Sequence, residues 1–343
     1  MQAITTIGLD IAKSVFQVHG VDAAGQVVVR RQLKRRQVMA FFQKMPPCLV
    51  GIEACASSHY WSRELQALGY SVRLMPPAYV KPYVKRQKND MADAEAICEA
   101  VTRANMRFVT TKTPEQQSGL MLHRTRHLFM RQQISVINAI RAHLAEFGIV
   151  ASVGRRGIEE LLRVAADPSD KRVPEMVRVC VAALGSPLLS LKKQILDFDR
   201  MIMVWHRSNQ TSKRLNCIPG VGPLLATALV ASVPDPKTFR SGRSFSAWIG
   251  LVPKQHSSGG RERLGSISKQ GDRYLRSLFV TGAFAVIRYA KIHGIKHRPW
   301  LTALLARRPT KVAAIALANK LARMAWAMMA TGARYNYPAA LRV

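Results

Sequence analysis

Short apolar and polar alternations fill roughly the first hundred residues. Ala3 to Leu9 is a β-rich run that ends at Asp10. Ser14 to Val21 is a second such run, and the turn-prone Asp22-Ala23-Ala24-Gly25 separates it from a third, Gln26 to Leu33. Three runs joined by short turns predict an antiparallel, hairpin-connected start. Arg36 to Met45 changes to helical spacing, with Met39, Phe42 and Met45 apolar. Cys48 to Ile52 reads as a buried strand ending at Glu53. Ser57 to Leu68 reads as a helix N-capped by Ser57 or Ser58, and Ser71 to Met75 as a fifth strand stopped by Pro76-Pro77. The basic segment Lys81 to Lys88 follows, then a helix from about Asn89 to Arg103. The pattern predicts a mixed α/β domain over residues 1–110.

The middle has a different period. Met130, Ile134, Ile137, Ile140, Leu144 and Phe147 recur at spacings of three and four, which predicts an amphipathic helix over Glu115 to Phe147. A second helical stretch runs from about Pro174 to His206 despite Gly185 and Pro187. Residues 111–212 are therefore expected to be a helical or coiled-coil region. It is either an antiparallel arm that joins copies or a helical linker packed on its own chain. Residues 213–343 form a third region, with helices near Asp272 to Lys291 and Thr310 to Ala330 between Gly- and Ser-rich loops.

Charge then narrows the function. The chain has 343 residues with 52 Lys+Arg against 20 Asp+Glu, a formal net charge of +32. A field of that size calls for an anionic partner, and nucleic acid is the commonest. From Lys213 onward 22 Lys+Arg face only Asp235, Glu262 and Asp272. No spanning segment is expected, because Lys320 and Arg323 interrupt the longest apolar run, Val312 to Ala330. The start carries neither a signal-peptide pattern nor a lipidation motif, so no membrane partner is expected. The five cysteines, Cys48, Cys55, Cys98, Cys180 and Cys217, show no CxxC spacing. That argues against a disulfide framework or a structural zinc site, and for a reducing cytoplasmic setting beside the nucleoid.

In a chain with few acids, four are placed suggestively. Asp10 and Glu53 each end an apolar strand, and Asp90 and Asp93 lie three apart on one helix face. Clustered carboxylates repel unless cations join them, and hard oxygen ligands favour Mg²⁺ or Mn²⁺. Each acid also has a plain reading as a turn residue, a cap or a helix-dipole partner.

Two C-terminal segments add chemistry. CIPGVGPLLATALVA, Cys217 to Ala231, resembles a helix-hairpin-helix whose Gly220 and Gly222 would bring backbone N–H groups to a phosphate. In KQHSSGGRERLGSISKQGDRYLR, Gly259-Gly260 follow Ser257-Ser258, and Lys254, Arg261, Arg263, Lys269, Arg273 and Arg276 supply cations. The residues alone favour a phosphate-binding loop whose hydroxyls only donate hydrogen bonds. Ser266 and Ser268 read as an N-cap region for the following helix, and His256 as a solvated loop histidine.

The strings GLDIAK, GIEACASSHYW and KNDMADAEAI, with SSGGRERLGSISKQGDRYLR much later, resemble the DEDD transposases of bacterial insertion sequences, a group that includes the Piv-type DNA invertases. The resemblance spans nearly the whole chain. It implies a RuvC-like, ribonuclease H-like N-terminal domain, a helical coiled-coil middle and a helical C-terminal transposase domain. It implies a metal-binding tetrad of Asp10, Glu53, Asp90 and Asp93, and a serine at Ser258, or its neighbour Ser257, that attacks the DNA strand and forms a covalent link. It further implies a structured guide RNA encoded by the element, element ends and target DNA as partners, and a dimer or tetramer. The readings set against this are a RuvC-type junction resolvase without a covalent intermediate and a non-catalytic architectural DNA-binding protein.

Overall fold

The computed structural model describes residues 3–85, 89–294 and 299–336. The chain divides into two compact units, Met1–Pro114 and Glu115–Val343.

In the first unit, β1 (Thr6–Ile11), β2 (Val15–Val21) and β3 (Val27–Lys34) form the expected antiparallel start. The short helix α1 (Val38–Gln43) leads to β4 (Leu49–Glu53), helix α2 (Ser58–Ala67) to β5 (Ser71–Met75), and α3 (Pro77–Val80) to α4 (Asp90–Val101). The sheet order is β3-β2-β1-β4-β5, and β4 and β5 run parallel to β1. Parallel neighbours need a crossover, and α1 and α2 supply the two connections. One core packs Ile7, Leu9, Phe16, Val18, Phe42, Val50, Ile52, Trp61 and Leu65. Ser57 caps α2 by position only: its backbone is left-handed at φ 69° and its side chain makes no cap hydrogen bond.

Helix α4 lies unusually close to the sheet. Gly8 and Gly51 are direct partners in the β1–β4 register. A Cβ on Gly8 would stand 2.1 Å from the Ala94 carbonyl oxygen and 2.5 Å from the Cys98 nitrogen, and one on Gly51 would stand 2.8 Å from Val101 Cβ. The paired glycines make a bare saddle on which α4 rests, by its backbone at Gly8 and by the Val101 side chain at Gly51.

The second unit is helical apart from one small ribbon. Two long helices, α5 (Pro114–Ala145) and α7 (Glu175–Ser208), flank α6 (Arg155–Ala166). They run antiparallel on the same chain: Gly119 meets the Trp205 ring, Arg126 pairs with Asp199 at 2.6 Å, and Phe129 meets Phe198 edge-on at 5.6 Å. Leu189, Leu196 and Val204 of α7 stay exposed. Beyond them come α8 (Gln210–Asn216), α9 (Pro223–Ser232), α10 (Gly242–Ile249), the ribbon β6 (Pro253–Gln255) and β7 (Leu264–Ile267), and then α11 (Arg273–His293), α12 (Pro299–Arg307) and α13 (Thr310–Thr331).

Helices α7 and α13 are both long and apolar enough to cross a membrane by length and composition. This corrects the expectation that no stretch approaches a span: scattered charges interrupt an apolar run without lowering its mean hydropathy enough. In α13 the apolar content has a local use, since Ala313, Ala314, Leu317, Ala318, Leu321, Ala322 and Ala325 are buried in the core of the second unit.

Gly8→Ala should push α4 off the sheet and cost about 1–3 kcal/mol of stability, as overpacking does. Urea unfolding of wild type and variant measures this directly; equal midpoints would show that α4 is held by other contacts.

Candidate functional site

Strand β1 delivers Asp10 near its C-terminal end, opposite Gln17 of β2. The parallel register Leu9↔Ile52 places Glu53 at the matching end of β4. Helix α4 begins at Asp90, capped by Asn89, whose side chain accepts the Ala92 N–H at 2.8 Å. Asp90 and Asp93 fall in its first turn, where the positive end of the helix dipole favours ionised acids. Because α4 sits down on Gly8, this turn meets the end of β1. Carboxylate oxygens of Asp10, Asp90 and Asp93 all lie within 4.8 Å of one another.

The cluster is electrostatically unfavourable without a counter-ion. Burial, with the charges of Asp93, Asp90 and Glu53, pushes the Asp10 carboxyl from 3.8 up to about 6. Glu53 therefore takes part through its charge, although it stands outside the group of three. An all-oxygen, acid-rich donor set of this kind suits a hard divalent cation and carries nothing that selects zinc. Cys55, exposed two residues past Glu53, stays a thiol: partial burial, Glu53 and Asp10 all push its pKa up.

The second unit holds the other sequence-singled residues. Ser257 and Ser258 lie in the loop of the β6–β7 hairpin. Ser257 Oγ accepts hydrogen bonds from the Gln255 side-chain amide and the Arg263 N–H, both at 3.1 Å. Ser258 starts the turn itself: its carbonyl accepts the Arg261 N–H at 3.1 Å, and Gly259 and Gly260 take φ 56° and 74°. Positive φ at both central residues is the turn that matches the hairpin twist. Among the described residues the Ser258 hydroxyl makes no hydrogen bond, and the loop is exposed.

Lys254, Arg261, Arg263, Lys269 and Arg273 are exposed around this hairpin. Arg276 is engaged instead, donating to the Ile249 and Gln270 carbonyls at 2.7 and 3.1 Å. Ser266 lies in β7, and the cap of α11 is Asp272, which accepts the Leu275 N–H at 2.9 Å. The N-cap reading of Ser266 and Ser268 is thereby corrected: the aspartate directly before the helix does that work.

The Cys217–Gly222 turn joins α8 to α9 as a helix-turn-helix pair. Gly220, at φ 94°, touches α11: a Cβ there would meet Val286 Cγ2 at 2.8 Å, and one on Gly282 would meet the Gly220 oxygen at 1.9 Å. Gly222 faces open space and precedes α9.

Sequence reasoning missed a buried hub. Thr227 Oγ1 donates to the Pro223 carbonyl at 2.7 Å, so it accepts from His123 Nε2, and His123 Nδ1 accepts the Tyr274 hydroxyl, both at 3.1 Å. Burial lowers the His123 pKa to about 4 and keeps the ring neutral. The hub ties α5, α9 and α11 together. The sequence signalled it only through one of three histidines in an amphipathic helix.

Comparison with known proteins agrees along the whole chain. Residues 7–149 match a family model described as a transposase of DEDD, IS110 type, and residues 212–297 match the model for the transposase IS116/IS110/IS902 family. A Pseudomonas aeruginosa protein named "Probable family 20 transposase" is 47% identical over 97% of this chain and 99% of its own length. The transposase for insertion sequence element IS1111A of Coxiella burnetii is 40% identical over 98% and 92%. The transposase for insertion sequence element IS1328 of Yersinia enterocolitica is 37% identical over 98% and 100%.

The raised Asp10 pKa fixes a sign. A carboxyl whose folded pKa exceeds its unfolded one gains a proton on folding, so metal-free stability falls as pH rises from about 4 through about 6. Asp10→Asn removes that penalty. It should raise the metal-free melting midpoint at pH 7 by about 2–4 °C and abolish any rise produced by Mg²⁺ or Mn²⁺, read by thermal melts in EDTA and in added metal.

Proposed function

The chain belongs to the IS116/IS110/IS902 family of insertion-sequence transposases, and we propose that it cuts and rejoins DNA with two sets of groups serving one reaction. The first is the acid cluster at the sheet end, Asp10, Asp90 and Asp93 with Glu53 beside them. It holds a divalent cation, Mg²⁺ or Mn²⁺, on a ribonuclease H-like, RuvC-like frame. The support for that frame is the strand order, three antiparallel strands followed by two parallel to the first. The bound cation supplies positive charge to the attacking and leaving oxygens of phosphoryl transfer.

The second set is Ser258 with the exposed cations of its hairpin. The Ser258 Oγ attacks phosphorus, the Oγ–P bond forms, and the P–O bond to one strand end breaks. The freed strand-end oxygen takes up a proton from solvent, and the serine proton is given up to solvent. A hydroxyl on a new strand end reverses the step and releases the serine, so bond energy is kept for rejoining. Ser258 is favoured over Ser257 because its hydroxyl is unengaged at the hairpin tip, whereas Ser257 is spent on Gln255 and Arg263. Lys254, Arg261, Arg263, Lys269 and Arg273 hold phosphates, and the open N-terminus of α9 at Gly222 offers backbone N–H groups to another.

The observation that carries this reading is the meeting of three carboxylates from β1 and α4 within 4.8 Å. Sequence choice is assigned to an element-encoded structured RNA that pairs with donor and target, the protein reading backbone and shape. The net charge of +32 suits a nucleoprotein of that kind. A dimer or tetramer is the working assembly.

Incubated with element-end DNA and Mg²⁺, wild type and Ser257→Ala should form a denaturation-resistant protein–DNA adduct, and Ser258→Ala should form none. Cleavage by Ser258→Ala without any adduct would point to the junction-resolvase chemistry instead. EDTA should stop the reaction, and RNase treatment of a native preparation should end site-specific joining.

A further inference from the structure

The second unit carries a cationic, aromatic cleft that shares no lining residue with the β6–β7 hairpin. Helices α10, α12 and α13 enclose an open space of about 820 Å³ lined by Ser241, Arg243, Trp300, Lys320, Arg323 and Trp326 among others. Three cations and two indoles line it, and no acid does. No acid follows Asp272 anywhere in the sequence. Among the described residues none of the three cations has an ion-pair partner.

The cleft is built, not incidental. Gly242 packs on the α13 backbone, where a Cβ would stand 3.2 Å from Arg323 Cα, so the start of α10 is pressed against α13. Ser241 caps that start by accepting the Ser244 N–H at 3.2 Å. Trp326 is fixed by its indole N–H, which donates to the Pro236 carbonyl at 2.9 Å. Trp300 is 41% exposed, and the Lys320 ammonium stands 4.5 Å from its ring centroid.

An exposed indole beside convergent, unpaired cations is what an unstacked nucleotide needs. Its base lies on the ring face and its phosphate meets the charges. A duplex offers phosphates but keeps its bases stacked inside, so it cannot use Trp300. We propose that this cleft binds single-stranded nucleic acid, one base stacking on Trp300 and the flanking phosphates held by Arg243, Lys320 and Arg323. Lys320 leaves the ring for a phosphate when the base arrives, a short swing for its flexible chain. The reading shares no residue with the carboxylate and serine assignments, and either can fail without the other.

The test is binding by the full-length protein in EDTA, where metal-dependent cleavage does not intervene. The probes are fluorescent single-stranded DNA and RNA of about ten nucleotides and a DNA duplex of the same length. Trp300→Ala should weaken single-strand binding about tenfold and leave duplex binding unchanged, and Trp300→Phe should restore most of the loss. Arg323→Ala should reduce the salt dependence of single-strand binding by about one phosphate contact. Lys193→Ala, an exposed charge on α7, should change neither. If Trp300→Ala binds single strands within about twofold of wild type, or loses duplex and single strand equally, the proposal is overturned. Should that variant fail to fold, Lys320→Ser and Arg243→Ser carry the same test on exposed side chains. A preference between the DNA and RNA probes identifies which strand the cleft serves.

Discussion

Helix α4 can reach the end of β1 only because two strands give up their side chains where it crosses. Gly8 and Gly51 stand opposite each other in the register, and α4 fills the space their Cβ atoms would take, with its backbone at Gly8 and with the Val101 side chain at Gly51. That close approach sets the height of the first turn of α4 above the sheet. The height in turn decides whether Asp90 and Asp93 meet Asp10. The acid cluster is thus a product of backbone contact, with the carboxylates arriving last and against their own repulsion. The raised Asp10 pKa follows from its burial first and from the neighbouring acids second.

Much of this arrangement is legible in the sequence, for physical reasons. Buried strands next to helices print long apolar runs, so the five strands of the first unit could be read from Ile7, Leu9, Val50, Ile52 and their neighbours, whereas their order in the sheet could not. The acids stood out because the chain has so few. The glycine saddle was not legible: glycine inside a strand reads as a weak point, and only the register shows that two of them share a rung. The β6–β7 ribbon was missed because its residues are nearly all exposed and carry no alternation. The Trp300 cleft was missed because its parts come from three helices separated in sequence, each apolar enough to read as core.

The two units solve the problem of charge in opposite ways. The first concentrates negative charge at one sheet end and leaves it to be neutralised from outside. The second spreads positive charge over helix faces and loops, most of all from Lys213 onward, where 22 Lys+Arg face three acids. Its C-terminal interior is held by close contacts between small residues, such as Gly220 on Gly282 and the alanines of α13. The neutral His123 fits the same economy, since a third bonded partner among α5, α9 and α11 is joined without adding charge.

The glycines of this chain answer to different masters, and the hairpin tip shows the stricter one. At Gly259 and Gly260 there is open space around the missing Cβ, yet both torsions lie in the left-handed region. Every amino acid one base change away from a glycine codon brings a Cβ that this backbone resists, with aspartate the mildest. At the tip beside Ser258, therefore, almost no missense change is tolerated by the backbone. As copies of such an element decay by random mutation, this turn is a place where a single missense change should mark the transition from active copy to relic.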